Sequence, residues 1–303
     1  MKSLLNITLV GLLTGTLLLS SCKPDGNKNK GGLDVPTDSF NIESIALDPQ
    51  IIDDIVQVSN PVEMAALIKS IEVGFSRKYL ANIDQVDKYA TSYHQAINLG
   101  IFGADLGYLN MYNQTNAVLD YIAAIKTLAD GIRVGHYFDF VTLKRLAQNN
   151  ENLDSLMYIS VHNFNQVDKF LREDNRSNLS ALMVTGVWIE GLYLATQVYK
   201  EKAHPDLKER IGEQKIVMGN LMLILENYKH DKQFASLIEQ LAELKEMYSS
   251  VEITITKGDP ESKVVDGVLT FIQNDISVVV MDDELLLDII AKTEEIRNNI
   301  INI

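Results

Sequence analysis

The strongest constraint on the fold is the absence of proline over a long central span. Only 6 prolines occur in 303 residues, and none lies between Pro61 and Pro205. Turn-rich sheet folds rarely run so far without proline, whereas apolar residues recurring every three or four positions are typical of amphipathic helices. The sequence therefore predicts an all-α fold, a multi-helix bundle of long antiparallel helices.

The apolar spacing also predicts individual helices. From Ile83 to Met111, apolar or small residues recur at intervals of three or four, which predicts one continuous helix. The same spacing recurs at 118–132, 153–171, 234–248 and 286–300. Asp231 and Asp282 precede two of these segments, where a carboxylate can accept hydrogen bonds from the free N–H groups of a first turn. We expect helices to begin directly after both aspartates.

One region departs from helical spacing. Residues 251–256 alternate apolar and polar side chains and are rich in β-branched residues, and residues 276–281 form a second run of this kind. Residues 264–272 fit either a strand or a short helix. The sequence predicts a small β excursion near 251–281, packed on the bundle.

Two segments share a pattern that would fit an internal repeat. Residues 100–106 (GIFGADL) and 186–192 (GVWIEGL) match at glycine, branched aliphatic, aromatic and leucine positions. Two pseudo-repeated hairpins packed around a symmetry axis would produce this match. Chance similarity between two apolar helices would produce it equally well.

Several glycines interrupt these two segments. Each costs about 1 kcal/mol relative to alanine inside a helix, so we expect a neighbouring helix or a ligand to approach the bare backbone there. The glycines concerned are Gly100, Gly103, Gly107, Gly186 and Gly191.

The same segments hold two isolated carboxylates, Asp105 and Glu190. Each is the only formally charged residue for several helical turns on either side. A lone carboxylate in an apolar helix lies at a solvent-facing edge, pairs with an arginine or lines a pocket. Candidate arginines for such pairing are Arg133, Arg145 and Arg172.

The alternative to pairing is a binding cleft built from both carboxylates. Aromatic residues near them in sequence would then form its wall. The predicted ligand-binding residues are Asp105, Glu190, Trp188, Tyr108 and Tyr193.

The N-terminus has the features of an export signal. Lys2 supplies a positive start, and residues 4–19 form an uncharged apolar stretch too short to span a bilayer. The following Leu19-Ser20-Ser21-Cys22 resembles the lipobox of bacterial lipoproteins. That resemblance implies that residues 1–21 are a cleaved signal peptide and that Cys22 carries acyl chains on its sulfur and its amino group. Acyl chains would anchor the protein in a membrane.

The resemblance also bears on domain organisation and location. Residues 22–40 are rich in Gly, Asn, Lys and Asp, and we interpret them as a lipidated flexible tether before a helical domain at 41–303. Lys23, rather than Asp, after the cysteine resembles lipoproteins sent to the outer membrane. The sequence leaves open whether the domain faces the periplasm or the exterior of the cell envelope.

Charge and motifs limit the possible functions. A net charge of −14 repels phosphate backbones, so nucleic acid is not an expected partner. Cys22 is the single cysteine, and the sequence contains no His-Glu-x-x-His, Gly-x-Ser-x-Gly or phosphate-binding glycine loop. We therefore assign no catalytic residue, no metal ligand and no cofactor other than the covalent lipid.

These observations favour a membrane-anchored envelope lipoprotein whose helical domain binds or scaffolds an unknown protein or small molecule. An alternative is metal or haem handling. The segment Gly135-His136-Tyr137-Phe138-Asp139 partly resembles the Gly-x-His-x-x-Glu motif of imelysin-like envelope proteins. It departs from that motif because the histidine follows the glycine directly and Asp replaces Glu. A third possibility is an enzyme whose site matches no motif and combines Asp105 and Glu190 with a distant histidine.

Overall fold

A computed structural model describes residues 61–148, 153–256, 261–265, 268–272 and 276–302. The predicted signal peptide, Cys22 and tether lie outside these residues. The described chain forms nine α-helices and four short strands, which confirms the predicted all-α bundle with a small β excursion. The helices are α1 (Pro61–Ser70), α2 (Ser92–Met111), α3 (Thr115–Gly131), α4 (Phe140–Ala147), α5 (Leu153–Glu173), α6 (Ser177–Glu201), α7 (Pro205–Leu225), α8 (Lys232–Ser249) and α9 (Asp283–Ile301). The strands are β1 (Glu252–Thr256), β2 (Glu261–Val265), β3 (Val268–Ile272) and β4 (Ile276–Val280).

Side-chain caps set the helix starts. Asp231 accepts hydrogen bonds from the backbone N–H groups of Gln233 and Phe234, and Asp282 accepts one from Leu285. These two predicted starts are confirmed.

The predicted continuous helix from Ile83 to Met111 is wrong in its first part. Ile83–Lys88 forms a separate 3₁₀ turn, whose cap Asn82 accepts from the N–H of Asp84 at 3.0 Å. The helix α2 starts at Ser92, where Thr91 accepts from the N–H of His94 at 3.2 Å. Asn82 caps the start of the 3₁₀ turn and Thr91 caps the start of α2. The segment is therefore divided into two separate runs of backbone hydrogen bonds.

Eight of the nine described helices, α2–α9, fall into two sets of four with the same order of contacts. In the first set α2 packs on α3, α3 on α4 and α4 on α5, and α5 returns to pack on both α2 and α6. In the second set α6 packs on α7, α7 on α8 and α8 on α9, and α9 returns to pack on both α6 and α2. The shared contact order favours the repeat over chance similarity.

The central helices α2 and α6 meet at two glycines. A Cβ added to Gly100 would lie 2.1 Å from the carbonyl oxygen of Met183, and one added to Gly186 would lie 2.0 Å from that of Ile97. Backbone therefore packs directly on backbone, and the two contacts are reciprocal, as a local two-fold axis requires. The expected close approach of a neighbouring helix is confirmed at these positions.

The other three glycines behave differently. A Cβ at Gly103 would meet the ring of Phe164 at 2.4 Å, so a side chain of α5 fills that space. A Cβ at Gly107 or Gly191 would meet nothing within 4 Å. Close packing therefore offsets the helix cost of glycine at three of the five positions and not at these two.

Helices joined by a short turn, such as α2 and α3 or α6 and α7, run antiparallel, whereas the central pair α2 and α6 runs in one direction. Tyr79 contacts the later parts of both helices, with its ring centroid 6.3 Å from that of Tyr108 and its hydroxyl donating to Glu201. An antiparallel crossing at the glycines would place Tyr108 and Glu201 on opposite sides of the contact. Both helices therefore carry their C-terminal halves to the same end of the bundle.

The β excursion consists of two antiparallel strand pairs. In β1–β4, Glu252 lies opposite Val280, and in β2–β3, Val265 lies opposite Val268. The region left open between strand and helix, 264–272, therefore contributes to two strands. The strand β4 packs on α7, where a Cβ at Gly212 would come within 2.4 Å of the Val279 side chain.

One helix of the described residues, α6, is long enough and apolar enough to cross a membrane. Its mean hydropathy is 1.4 over an 18-residue window. In the bundle, 83% of that window is buried. The central helix of a soluble core meets the same criteria.

Alanine substitutions on α2 test the glycine contact. We expect Gly100→Ala to lower the free energy of unfolding by about 1–3 kcal/mol, because the new methyl group overlaps the Met183 backbone. The matched control, Gly107→Ala, adds a methyl group to open space and is expected to raise stability by up to about 1 kcal/mol. Urea denaturation of both variants measures the difference, and equal stabilisation by both would contradict backbone contact at Gly100.

Candidate functional site

The two isolated carboxylates of the sequence come together in the interior. Asp105 on α2 and Glu190 on α6 are both 0% exposed. The glycine contact brings α2 and α6 close, and because the helices run in the same direction, both carboxyl groups follow that contact by about one turn. The structure therefore places two acids against each other in an apolar environment.

Arg297 of α9 supplies the cation for this pair of acids. Its Nε donates to Glu190 Oε2 and its Nη2 donates to Glu190 Oε1, each at 2.9 Å. The guanidinium carbon lies 4.4 Å from the ring centre of Tyr193, and Arg297 is 4% exposed. Bidentate pairing and stacking on an aromatic face are the arrangements that suit a buried guanidinium. We call Asp105, Glu190 and Arg297 the buried cluster.

Residues Tyr79–Ala81, here called the strap, lie over the buried cluster. Arg297 Nη2 also donates to the carbonyl oxygen of Tyr79 at 3.1 Å. The N–H of Ala81 donates to Asp105 Oδ2 at 3.0 Å, and the Tyr121 hydroxyl of α3 donates to the carbonyl oxygen of Ala81. Side chains from α2, α3 and α9 therefore hold three backbone groups of a segment that lies largely outside regular helix.

The environment of the buried cluster shifts the pKa values of Asp105 and Arg297 from their usual values. Burial, and secondly the negative charge of Glu190, raise the pKa of Asp105 well above its usual range. Burial alone would lower the pKa of Arg297, but the charge of Glu190 and the hydrogen bonds with it raise that pKa above its usual value. Asp105 therefore tends to hold a proton, whereas Arg297 stays charged.

The predicted arginine partners are wrong. Arg172 pairs with Asp168 through a hydrogen bond of 2.6 Å, and Glu190 pairs with Arg297, which was not among the predicted partners. The sequence does contain an indication that Arg297 is buried. It follows Thr293 by four residues and precedes Ile300 by three, which places it on the apolar stripe of α9.

The predicted aromatic wall is only partly assembled around the carboxylates. Tyr193 lies under Arg297, and Tyr108 lies beside the strap, where its hydroxyl oxygen accepts from the N–H of Ser76 at 3.1 Å. Trp188 is directed toward α7, where its indole N–H donates to Gln214 Oε1 at 3.0 Å. The structure therefore brings four of the five predicted ligand-binding residues to one end of α2 and α6, and Trp188 lies apart.

The hydrogen-bond partners of the two carboxyl groups are internal, namely Ala81 for Asp105 and Arg297 for Glu190. A small apolar hollow lies elsewhere, among α2, α3, α4 and α5 of the first helix set, and leaves no space for a water molecule. It is lined by Leu106, Ile122, Ile125, Phe138, Phe140, Leu143, Ser160 and Phe164.

The partial imelysin-like motif lies at the surface of the first helix set. His136 belongs to the 3₁₀ turn Gly135–Tyr137, and its ring centre is 4.1 Å from that of Tyr137 and 6.0 Å from that of Phe170. Within the residues that the structure describes, no group of three or more His, Cys, Asp or Glu side chains is placed to hold a metal ion. The metal or haem alternative stays a prediction.

Comparison of the chain with protein-family models, curated proteins and solved structures finds no match.

Loss of the Glu190 charge tests the pairing in the buried cluster. We expect Glu190→Gln to lower the free energy of unfolding by about 3–5 kcal/mol, because Arg297 would lose its bidentate partner and Asp105 could replace the counter-charge only by giving up its proton. Glu294→Gln, also in a pair that involves α6 and α9, is the matched control. It breaks the exposed Lys200–Glu294 pair and is expected to cost no more than about 1 kcal/mol.

Denaturation in urea at neutral pH compares both variants with the parent protein. If Glu190→Gln costs no more than Glu294→Gln, the buried cluster does not join α6 to α9.

Proposed function

We propose that the protein is a lipid-anchored module of the bacterial cell envelope, whose helical domain binds or scaffolds a partner. The observation that carries this proposal is the N-terminal sequence, in which an uncharged apolar segment leads directly to Leu19-Ser20-Ser21-Cys22. The acylated cysteine would hold the domain at a membrane, with the outer membrane favoured by Lys23. The tether at 22–40 would let the domain move relative to its anchor.

The helical domain supports a binding or scaffold role through its rigidity. Helix α6 packs on α1, α2, α5, α7 and α9, so the central elements cannot shift independently of one another. The carboxylates of the predicted cleft already pair with Arg297 and Ala81. We therefore place partner binding on the outer surface of the bundle, with the buried cluster maintaining the shape of that surface.

Cys22→Ser in the full-length protein tests lipid anchoring. The parent protein is expected to incorporate a labelled fatty acid and to lose residues 1–21, and the variant is expected to do neither, because serine has no thiol to accept the lipid. Ser21→Ala keeps a small residue before the cysteine and serves as the matched control, with labelling and processing retained.

In the Cys22→Ser variant the uncleaved signal peptide could itself hold the protein in the membrane. A second variant therefore tests whether the lipid or the uncleaved signal causes membrane retention. Replacing residues 1–22 with a cleavable signal that lacks a lipobox should release the domain into the soluble fraction. Labelling of the Cys22→Ser variant, or continued membrane association of the domain without Cys22, would contradict the proposal.

A further inference from the structure

The buried cluster contains two carboxyl groups and one cation, and that cation forms hydrogen bonds with only one of the two carboxyl groups. Arg297 directs both Nε and Nη2 to Glu190, and the further contact of Nη2 goes to the carbonyl oxygen of Tyr79. Asp105 receives one hydrogen bond, from the N–H of Ala81 to Oδ2, and its Oδ1 is buried without a donor. An ionised carboxylate in that position would be a buried charge with no counter-charge of its own.

Among the described residues, Arg297 is the cation whose charge acts on Asp105, whereas Arg77, two positions before Tyr79, acts on Tyr121. Glu190 and Tyr193 face it from α6, Arg297 from α9 and Tyr121 from α3. Burial raises the pKa of Tyr121 and of Tyr193, so both hydroxyls stay neutral over the ordinary pH range. The hydroxyl of Tyr121 already donates to the carbonyl oxygen of Ala81 and is not free to donate to Asp105.

A proton on Oδ1 resolves this imbalance. A neutral Asp105 would donate from Oδ1 to Glu190, which lies within hydrogen-bonding reach, and Oδ2 would still accept from Ala81. The two acids and the arginine would then sum to zero charge, which is the favourable state in an apolar interior.

We propose that Asp105 and Glu190 share one proton, and that this proton keeps the strap closed over the buried cluster. The inference goes beyond the proposed function, because it assigns a pH-sensitive contact to the interior of the domain. When Asp105 loses its proton to solvent, two carboxylates face one guanidinium, and the excess charge draws water inward. The strap is the nearest segment outside regular helix, so its three backbone contacts are the first to open.

The direction of the pH dependence follows from linkage. The folded-state pKa of Asp105 is raised above its unfolded value, so its contribution to stability is complete below that unfolded value, near pH 4. The contribution is lost as pH rises through the folded-state pKa. The strap therefore opens on the alkaline side and not in acid.

Asp105→Asn is the matched variant, because an amide mimics the neutral acid. Its oxygen can accept from Ala81 and its NH₂ can donate to Glu190, at every pH. Hydrogen–deuterium exchange over residues 77–89 compares the two proteins at the same pH, which cancels the base catalysis of exchange itself. We expect equal exchange below about pH 4, and a parent-to-variant ratio that rises by up to about tenfold per pH unit from there to the folded-state pKa of Asp105, above which it levels off.

Infrared spectroscopy tests the proton directly and does not depend on how the variant folds. The parent protein is expected to show the carbonyl stretch of a buried protonated carboxyl group near neutral pH, lost as pH rises. Asp168→Asn is the control, because Asp168 is a carboxyl group outside the buried cluster, bonded to Arg172 and Ser180, and its replacement is expected to leave the band in place.

Two results would overturn the proposal. One is the absence of a protonated-carboxyl band in the parent protein near neutral pH. The other is loss of the band at high pH while the exchange ratio over 77–89 stays constant, since the proton would then have no effect on the strap.

Discussion

The structure depends first on direct backbone contact between α2 and α6, where Gly100 lies against Met183 and Gly186 lies against Ile97. Side chains at either position would separate α2 from α6, because a Cβ there would overlap a carbonyl oxygen of the other helix. The contact lets two apolar helices run side by side in one direction. It also places Asp105 and Glu190 against each other, although each is isolated in its own sequence segment.

The electrostatic arrangement follows from that placement. Two carboxyl groups in an apolar interior need a cation, a proton or both. Arg297 reaches them because α9, the last helix of its set, returns to pack on both central helices. The strap then covers the cluster, since its Tyr79 carbonyl oxygen accepts from Arg297 and its Ala81 N–H donates to Asp105. Four segments that are distant in sequence thus share a single small set of polar contacts.

Much of the helical fold could be predicted from apolar spacing and helix caps, as the starts after Asp231 and Asp282 show. The start of α2 could not, because a 3₁₀ turn at Ile83–Lys88 repeats every three residues and so preserves apolar spacing that resembles a helix. Asp105 and Glu190 were recognisable as unusual because each stands alone in an apolar helix.

Other features of the site could not be predicted because they depend on which helices meet. Gly100 and Gly107 look alike in the sequence, yet one contacts backbone and the other faces open space. Arg297 lies on an apolar stripe, but its partner is 107 positions away and is chosen by the packing of α9 on α6. Spacing within one helix carries no information on that choice.

A double-mutant cycle between Glu190→Gln and Arg297→Gln tests the central claim most directly. Each single variant leaves buried charge unbalanced, whereas the double variant removes both charges, so its loss of stability should be smaller than the sum of the two single losses. We expect a coupling free energy of at least about 1.5 kcal/mol in urea denaturation. Additive losses, within about 0.5 kcal/mol, would show that Glu190 and Arg297 do not act together and would contradict the account.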